Sequence, residues 1–364
     1  MLRFLTTILG IFLAAQPVNA EVKPTVTYSE AADLYSTMDN LSGWLEGFTW
    51  PEYRDEWQKR FGWSSKDQEW ADRYTAFRRR TFIDESGSSD PRTMPDGIFA
   101  SRGENSEGTD PLAAYFLAQP NIETAIRNLD NAFSPPDAEM LRGFYQHFEP
   151  GWRTLLAESV PLKDRAAELS ERLDGPTVSA FIDRVNAFYR SDVGGPFYIF
   201  FTRHPPGNGS SAEPLAGKYM LLHAPTSEND TRYWDTIVIH ELVHYVSSRQ
   251  PQEQKLELTK RFLDRCPLPP QIKRLWLLEE PVAVAWGQAA YSAKVLGKPL
   301  DPNDHWYAIP WVDIVSRTIA PSIIEGYDTD LQIEDVVEQA ADRCNDLNAV
   351  AQQLNTSPKT KGIK

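Results

Sequence analysis

The stretch Thr236-Ile237-Val238-Ile239-His240-Glu241-Leu242-Val243-His244-Tyr245-Val246 constrains the chain more than any other. Its only charge is Glu241, and apolar residues surround a single polar trio. Read as a helix it is apolar almost all round, so it belongs inside the protein rather than on its surface. Buried histidine and glutamate side chains need partners. Residues four apart lie one above the other on a helix, so both imidazoles can reach one point. A Zn2+ ion at that point, ~2.0–2.1 Å from each nitrogen, supplies the missing partner. Glu241 then stands beside the metal, where it can take a proton from bound water. The bland alternative is a helix that happens to carry two histidines and a glutamate. Against it, the chain holds only 6 His, and two of them fall at this spacing.

The elements around this helix run helices, then strands, then helices. Helical patterns cover Glu30–Asp39 and Lys66–Phe82, then about 111–118, 121–131, 136–147, 161–173 and 177–190. Residues 84–110, rich in Ser, Gly, Pro and Asp, read as a long loop. Trp50, Trp57, Trp63 and Trp70 recur every six or seven residues. They suit a helical core stripe better than a platform for stacking sugars. Pro196–Thr202 and Lys218–His223 are aromatic or β-branched and read as strands, with a turn-rich connector at 205–211. Helices follow at Asp230–Ser248 and at about 253–264, 270–296, 308–324 and 332–347. The predicted fold class is mainly α with a small β-sheet, that is α+β. A helical region at 21–190 precedes a metal-binding domain at 191–350, and 351–364 is a flexible tail.

Met1–Ala20 joins Arg3, an apolar run from Phe4 to Ala15, and the small-residue end Val18-Asn19-Ala20. This reads as a secretory signal peptide, too short to span ~30 Å of hydrocarbon. Its removal takes away one Arg and no acid, moving the net charge from −14 to −15. So acidic a chain lacks the basic stripe that displaces phosphate counterions, which argues against nucleic acid as partner. It also disfavours anionic lipid. The expected location is the periplasm or the outside of the cell, with no stable membrane insertion of the mature chain. Oligomeric state stays open. In an exported protein Cys266 and Cys344 are expected to pair, worth ~4 kcal/mol by loop entropy. Two cysteines are too few for a Cys-based zinc site.

The His-Glu-x-x-His segment and the roughly 110 residues around it resemble the zincin metallopeptidases. The metzincin branch wants Gly three and His six residues past the second histidine, and here Ser247 and Gln250 stand there. The gluzincin branch takes a Glu from a later helix. Leu275-Trp276-Leu277-Leu278-Glu279-Glu280-Pro281-Val282-Ala283 is similar to that segment. Two acids compete for the third ligand position. Glu280 shares a helix face with Ala283, Val284 and Gly287, small residues that let the His helix approach. Glu279 shares a face with Trp276, Val282 and Trp286, yet aligns better when the Trp-Leu pair is the anchor. Helical phase favours Glu280. Many gluzincins also hold the first histidine with an Asp four residues past the ligand, whereas here Ala283 and Val284 stand there.

The resemblance implies a Tyr or His downstream that steadies the oxyanion of peptide hydrolysis. Tyr307 is the first choice and His305 the second, with Tyr245 a weaker one. It also implies a strand that pairs with extended substrate, read here as the one carrying His223. His147 and His204 receive no role. The expected function is therefore an exported zinc-dependent hydrolase acting on a peptide or protein. His240, His244 and Glu280 or Glu279 hold Zn2+, and Glu241 is the base. Two other readings are an inactive zincin-fold binding protein and a carbohydrate-active hydrolase built on paired carboxylates.

Overall fold

Strand β2 (Gly195–His204) explains the layering, because its side chains alternate between two separate cores. Phe197, Ile199 and Phe201 point into one core, while Tyr198 and Phe200 point into the other. Both faces are covered, so the strand reads as a nearly continuous aromatic and aliphatic run. The computed structural model describes residues 22–45, 49–82, 110–191, 193–207, 211–214, 219–227, 233–266, 278–301, 305–308 and 310–343. The signal-peptide reading of 1–20 and the tail reading of 351–364 lie outside these residues, as does the loop reading of 84–110 apart from Asp110.

The sheet has four strands in the order β1-β2-β4-β3. β1 (Val22–Tyr28) and β4 (Tyr219–Pro225) flank β2, both parallel to it, and β3 (Ser211–Pro214) runs antiparallel along the outside of β4. Parallel neighbours need long crossovers. Among the described residues nine α-helices lie between β1 and β2: α1 (Glu30–Ser42), α2 (Pro51–Phe61), α3 (Ser65–Thr81), α4 (Pro111–Leu117), α5 (Ile122–Arg127), α6 (Pro135–His147), α7 (Glu149–Ala157), α8 (Pro161–Leu173) and α9 (Pro176–Tyr189). After β4 come α10 (Trp234–Ser248), α11 (Gln252–Arg265) and α12 (Glu279–Val284). A π-helical turn (Ala285–Ala290) leads from α12 into α13 (Tyr291–Lys294), and α14 (Pro310–Gly326) and α15 (Ile333–Asp342) close the order. Mainly helical with a small mixed sheet, this is the α+β class expected from the sequence.

The division into a helical region to 190 and a second domain from 191 does not match the packing. β1, α8 and α9 share one core with α10, α12, α14 and α15, while α1 to α7 build the other core. The sheet itself crosses the expected boundary, since β1 pairs with β2 along its whole length.

The tryptophan series resolves as packing. A Cβ at Gly151 of α7 would lie 2.2 Å from Cη2 of Trp57, and one at Gly143 of α6 would lie 2.4 Å from Cη2 of Trp70. Each indole thus fills a notch that only glycine leaves open. Deeper in the same core, Arg78 of α3 is buried between two carboxylates. Its Nε lies 2.7 Å from Asp39 Oδ1, and its Nη2 lies 2.6 Å from Asp110 Oδ2. Tyr35 donates to Asp110 at 2.9 Å, and Tyr74 and Trp44 each donate to Asp39 at 2.8 Å.

Cys266 caps α11 and is disulfide-bonded. Cys344, the other of the chain's 2 cysteines, lies outside the described residues. Among the described residues no helix is long and apolar enough to cross a membrane.

Candidate metal centre

α10 lies against the sheet with Val238, Ile239, Leu242, Val243 and Val246 in the core, which carries its polar trio inside with them. His240 and His244 stand one turn apart on one face. Their Nε2 atoms are 3.1 Å from each other. From α12, Glu280 brings Oε1 to 3.2 Å from His240 Nε2 and Oε2 to 3.1 Å from His244 Nε2. His240 is 5% exposed, His244 2% and Glu280 3%. These three converging donors form a group able to hold a metal ion.

Two observations test the fit. Tetrahedral donors at ~2.0–2.1 Å from an ion lie about 3.3–3.4 Å apart, close to the separations seen. Glu279 and Glu280 are both buried, and their only ion-pair contacts among the described residues are to these histidines. Buried carboxylates without Lys or Arg call for another cation. Two imidazoles and a carboxylate are donors that several divalent metals accept. Burial alone pushes the Glu280 carboxyl up, yet the imidazoles of His244 and His240 hold it well below the usual carboxylate range.

Glu279 is not one of the three donors. Its Oε1 meets Nδ1 of His244 in a short hydrogen bond on the far side of the ring. The two sequence candidates therefore separate by role, with Glu280 at the convergence point and Glu279 behind His244. Behind Glu279 in turn lies Tyr189 of α9, whose hydroxyl is pushed up by burial and then by the Glu279 charge. His240 has no such support. Its Nδ1 is buried without a hydrogen-bond partner among the described residues, in keeping with Ala283 and Val284 at the positions where gluzincins carry an acid.

His240 is instead set by backbone packing. A Cβ at Gly287, in the π-helical turn, would lie 2.8 Å from Cα and Cβ of His240 and 2.9 Å from its N. Gly287→Ala is expected to cost about 1–3 kcal/mol by overpacking and to shift His240 away from its partners. Urea denaturation reads the first effect and metal titration the second.

Glu241 is buried beside the triad, with Oε1 3.8 Å from His240 Nε2. Tyr307 lies alongside the site, its ring stacked on His240 at 6.4 Å between centroids and 22° between planes. His305 does not join it. The His305 side chain is 79% exposed, and its Nδ1 lies 3.3 Å from Asp313 Oδ2. Asp313, at the start of α14, was not anticipated. It also accepts the backbone N–H of Trp306 at 2.7 Å and so pins the loop that carries Tyr307. An acid in the first turn of a helix was the available signal, and it pointed only to the helix dipole. Tyr245 stacks on Phe197 at 5.1 Å under Arg249, as packing.

The strand expectation needs correcting. β4, which carries His223, lies between β2 and β3, so the short β3 and not β4 stands at that edge of the sheet. His223 itself faces the N-terminal helices, away from α10. Its Nδ1 lies 2.9 Å from Thr202 Oγ1, 3.2 Å from Ser36 Oγ and 3.3 Å from the Tyr53 hydroxyl, and its Nε2 lies 3.1 Å from Glu213 of β3. His147 contacts Asp67 at 2.7 Å, and His204 Nδ1 donates to the Pro205 carbonyl at 2.8 Å, both away from the site. Compared with known protein families, curated proteins and solved structures, the chain gives no match, so the reading of this site rests on its own geometry.

Proposed function

We propose that this chain is an exported metal-dependent hydrolase that cleaves peptide bonds. The observation that carries the reading is the meeting of His240 Nε2, His244 Nε2 and the Glu280 carboxylate at one buried point, with a fourth polar group, Glu241, beside it and outside the ligand set. When bound, a zinc ion supplies a Lewis acid and a water whose pKa falls to ~7. His240, His244 and Glu280 would hold the ion. Glu241 takes the proton of the attacking water and passes it to the leaving amine. Tyr307 is the residue we assign to the developing oxyanion, because its ring flanks His240.

Peptide as substrate is supported by β3, which ends the sheet and packs near α10. A strand in that position leaves one row of backbone groups for an extended chain to pair with. Export is supported by the sequence of 1–20, and β1 starts at Val22, so removing those residues spares the strand. The test is elemental analysis of the dialysed chain. About one zinc ion per chain is expected, and His244→Ala should lose it. An unmutated protein that takes up no divalent metal overturns the proposal. Metal without hydrolysis of any peptide in a mixed library would favour the inactive binding protein.

A further inference from the structure

We infer that Glu279 is a positioning residue that prepares His244, and His244 alone, to bind metal. The inference rests on the metal reading above and deepens it. A neutral imidazole carries one proton and can place it on either nitrogen. At His244 the choice is made by the protein. Nδ1 faces the Glu279 carboxylate in a short contact, so it carries the proton and donates it. Nε2 is then the nitrogen turned toward the convergence point, 3.1 Å from Glu280 Oε2 and 3.1 Å from His240 Nε2. Both partners are buried, where a charge-assisted hydrogen bond is stronger than in water.

His240 reaches the same point by a different means. Its buried Nδ1 meets no acceptor among the described residues, so no carboxylate holds the ring from behind. What places it is the close packing of its backbone on Gly287, where a Cβ would not fit. One continuous segment, 279–287, therefore supplies the orienting acid of one histidine, the third donor, and the spacer of the other histidine. The support is unequal, and the arrangement ranks the two nitrogens before any metal arrives. His244 is held from behind by a carboxylate, whereas His240 is not.

The experiment measures Zn2+ affinity by competition with a chromophoric chelator on the full chain, with Co2+ absorption as a second probe. The variants are Glu279→Ala, Glu279→Gln and Glu280→Ala, and the unfolding of each metal-free form is followed in parallel. Loss of an orienting partner typically lowers metal affinity ~10–100-fold, and that loss is expected for Glu279→Ala. Glu279→Gln keeps an acceptor oxygen, so it should recover most of the affinity and an unmutated Co2+ spectrum. Glu280→Ala should lose far more. A well-folded Glu279→Ala that binds Zn2+ within about twofold of the unmutated chain overturns the inference. So does a Glu279→Gln that binds as poorly as Glu280→Ala, which would make Glu279 a ligand. If the unmutated chain binds neither Zn2+ nor Co2+, the metal reading itself fails, and that result is distinct from both.

Discussion

Glu241→Gln is expected to leave the metal in place while peptide hydrolysis falls by about 10²–10⁴-fold, the usual worth of a positioned general base. Glu241 sits next to His240 on α10, but the donors that converge are those of His240, His244 and Glu280. Its Oε1 stands 3.8 Å from His240 Nε2, beyond hydrogen-bond distance and close enough to reach a water held by the same group. Glutamine keeps the shape and removes the proton acceptor, so chemistry should suffer and binding should not. Metal content and kcat measured on one preparation separate the two. Metal lost along with activity would make Glu241 a ligand, and activity retained would put the base elsewhere.

The second large effect concerns stability and lies far from the site. Arg78→Ala is expected to destabilise the fold by about 3–5 kcal/mol, because it strips the partner from two buried carboxylates. That is a large share of the ~5–15 kcal/mol that holds a typical domain together. Even with Arg78 present, Asp39 is pushed up from 3.8 to about 6, by burial first, with Arg78 opposing and Asp110 adding to the rise. Asp110 moves the other way: burial raises it, but the Arg78 charge and hydrogen bond win and hold it low.

The signs of the pH effects follow. The stabilising contribution of Asp39 is full below 3.8 and is lost as pH rises through about 6. That of Asp110 is present above the ordinary carboxylate range and is lost as pH falls through its lowered value. Without Arg78 both acids resist ionisation, so the deficit of the variant should be larger at pH 8 than at pH 5. Urea unfolding at the two values checks this, and a deficit independent of pH would mean that lost packing dominates.

Much of the candidate site was legible because it is local. His240 and His244 are four residues apart on one helix, and helical phase put Glu280 with Ala283, Val284 and Gly287, the face that meets His240. Phase assigns faces and not atoms, so it could not show that Glu279 reaches Nδ1 of His244 from behind. Features joined across long separations were the hidden ones. β1 contains Pro24, which suits only an edge strand, and its partner is far along the chain. β3 is four residues long and holds no β-branched or aromatic residue. α7 begins directly after α6 and holds a glycine, a poor helix former, whose purpose is to admit Trp57. Arg78 opens the run Arg78-Arg79-Arg80 in the last turn of α3. Its burial depends on Asp39 and Asp110 arriving from other segments.

Because β1 pairs with β2 in register Val22 opposite Gly195, the first strand to be made must wait for most of the chain before it finds its neighbour. The helices α1 to α7 can collapse on one another early, through contacts close in sequence. The core that backs α10 cannot, since it joins β1, at one end of the described chain, to α14 and α15 at the other. Refolding should therefore show an early helical phase and a slower one, and the capacity to bind metal should appear only with the slower one.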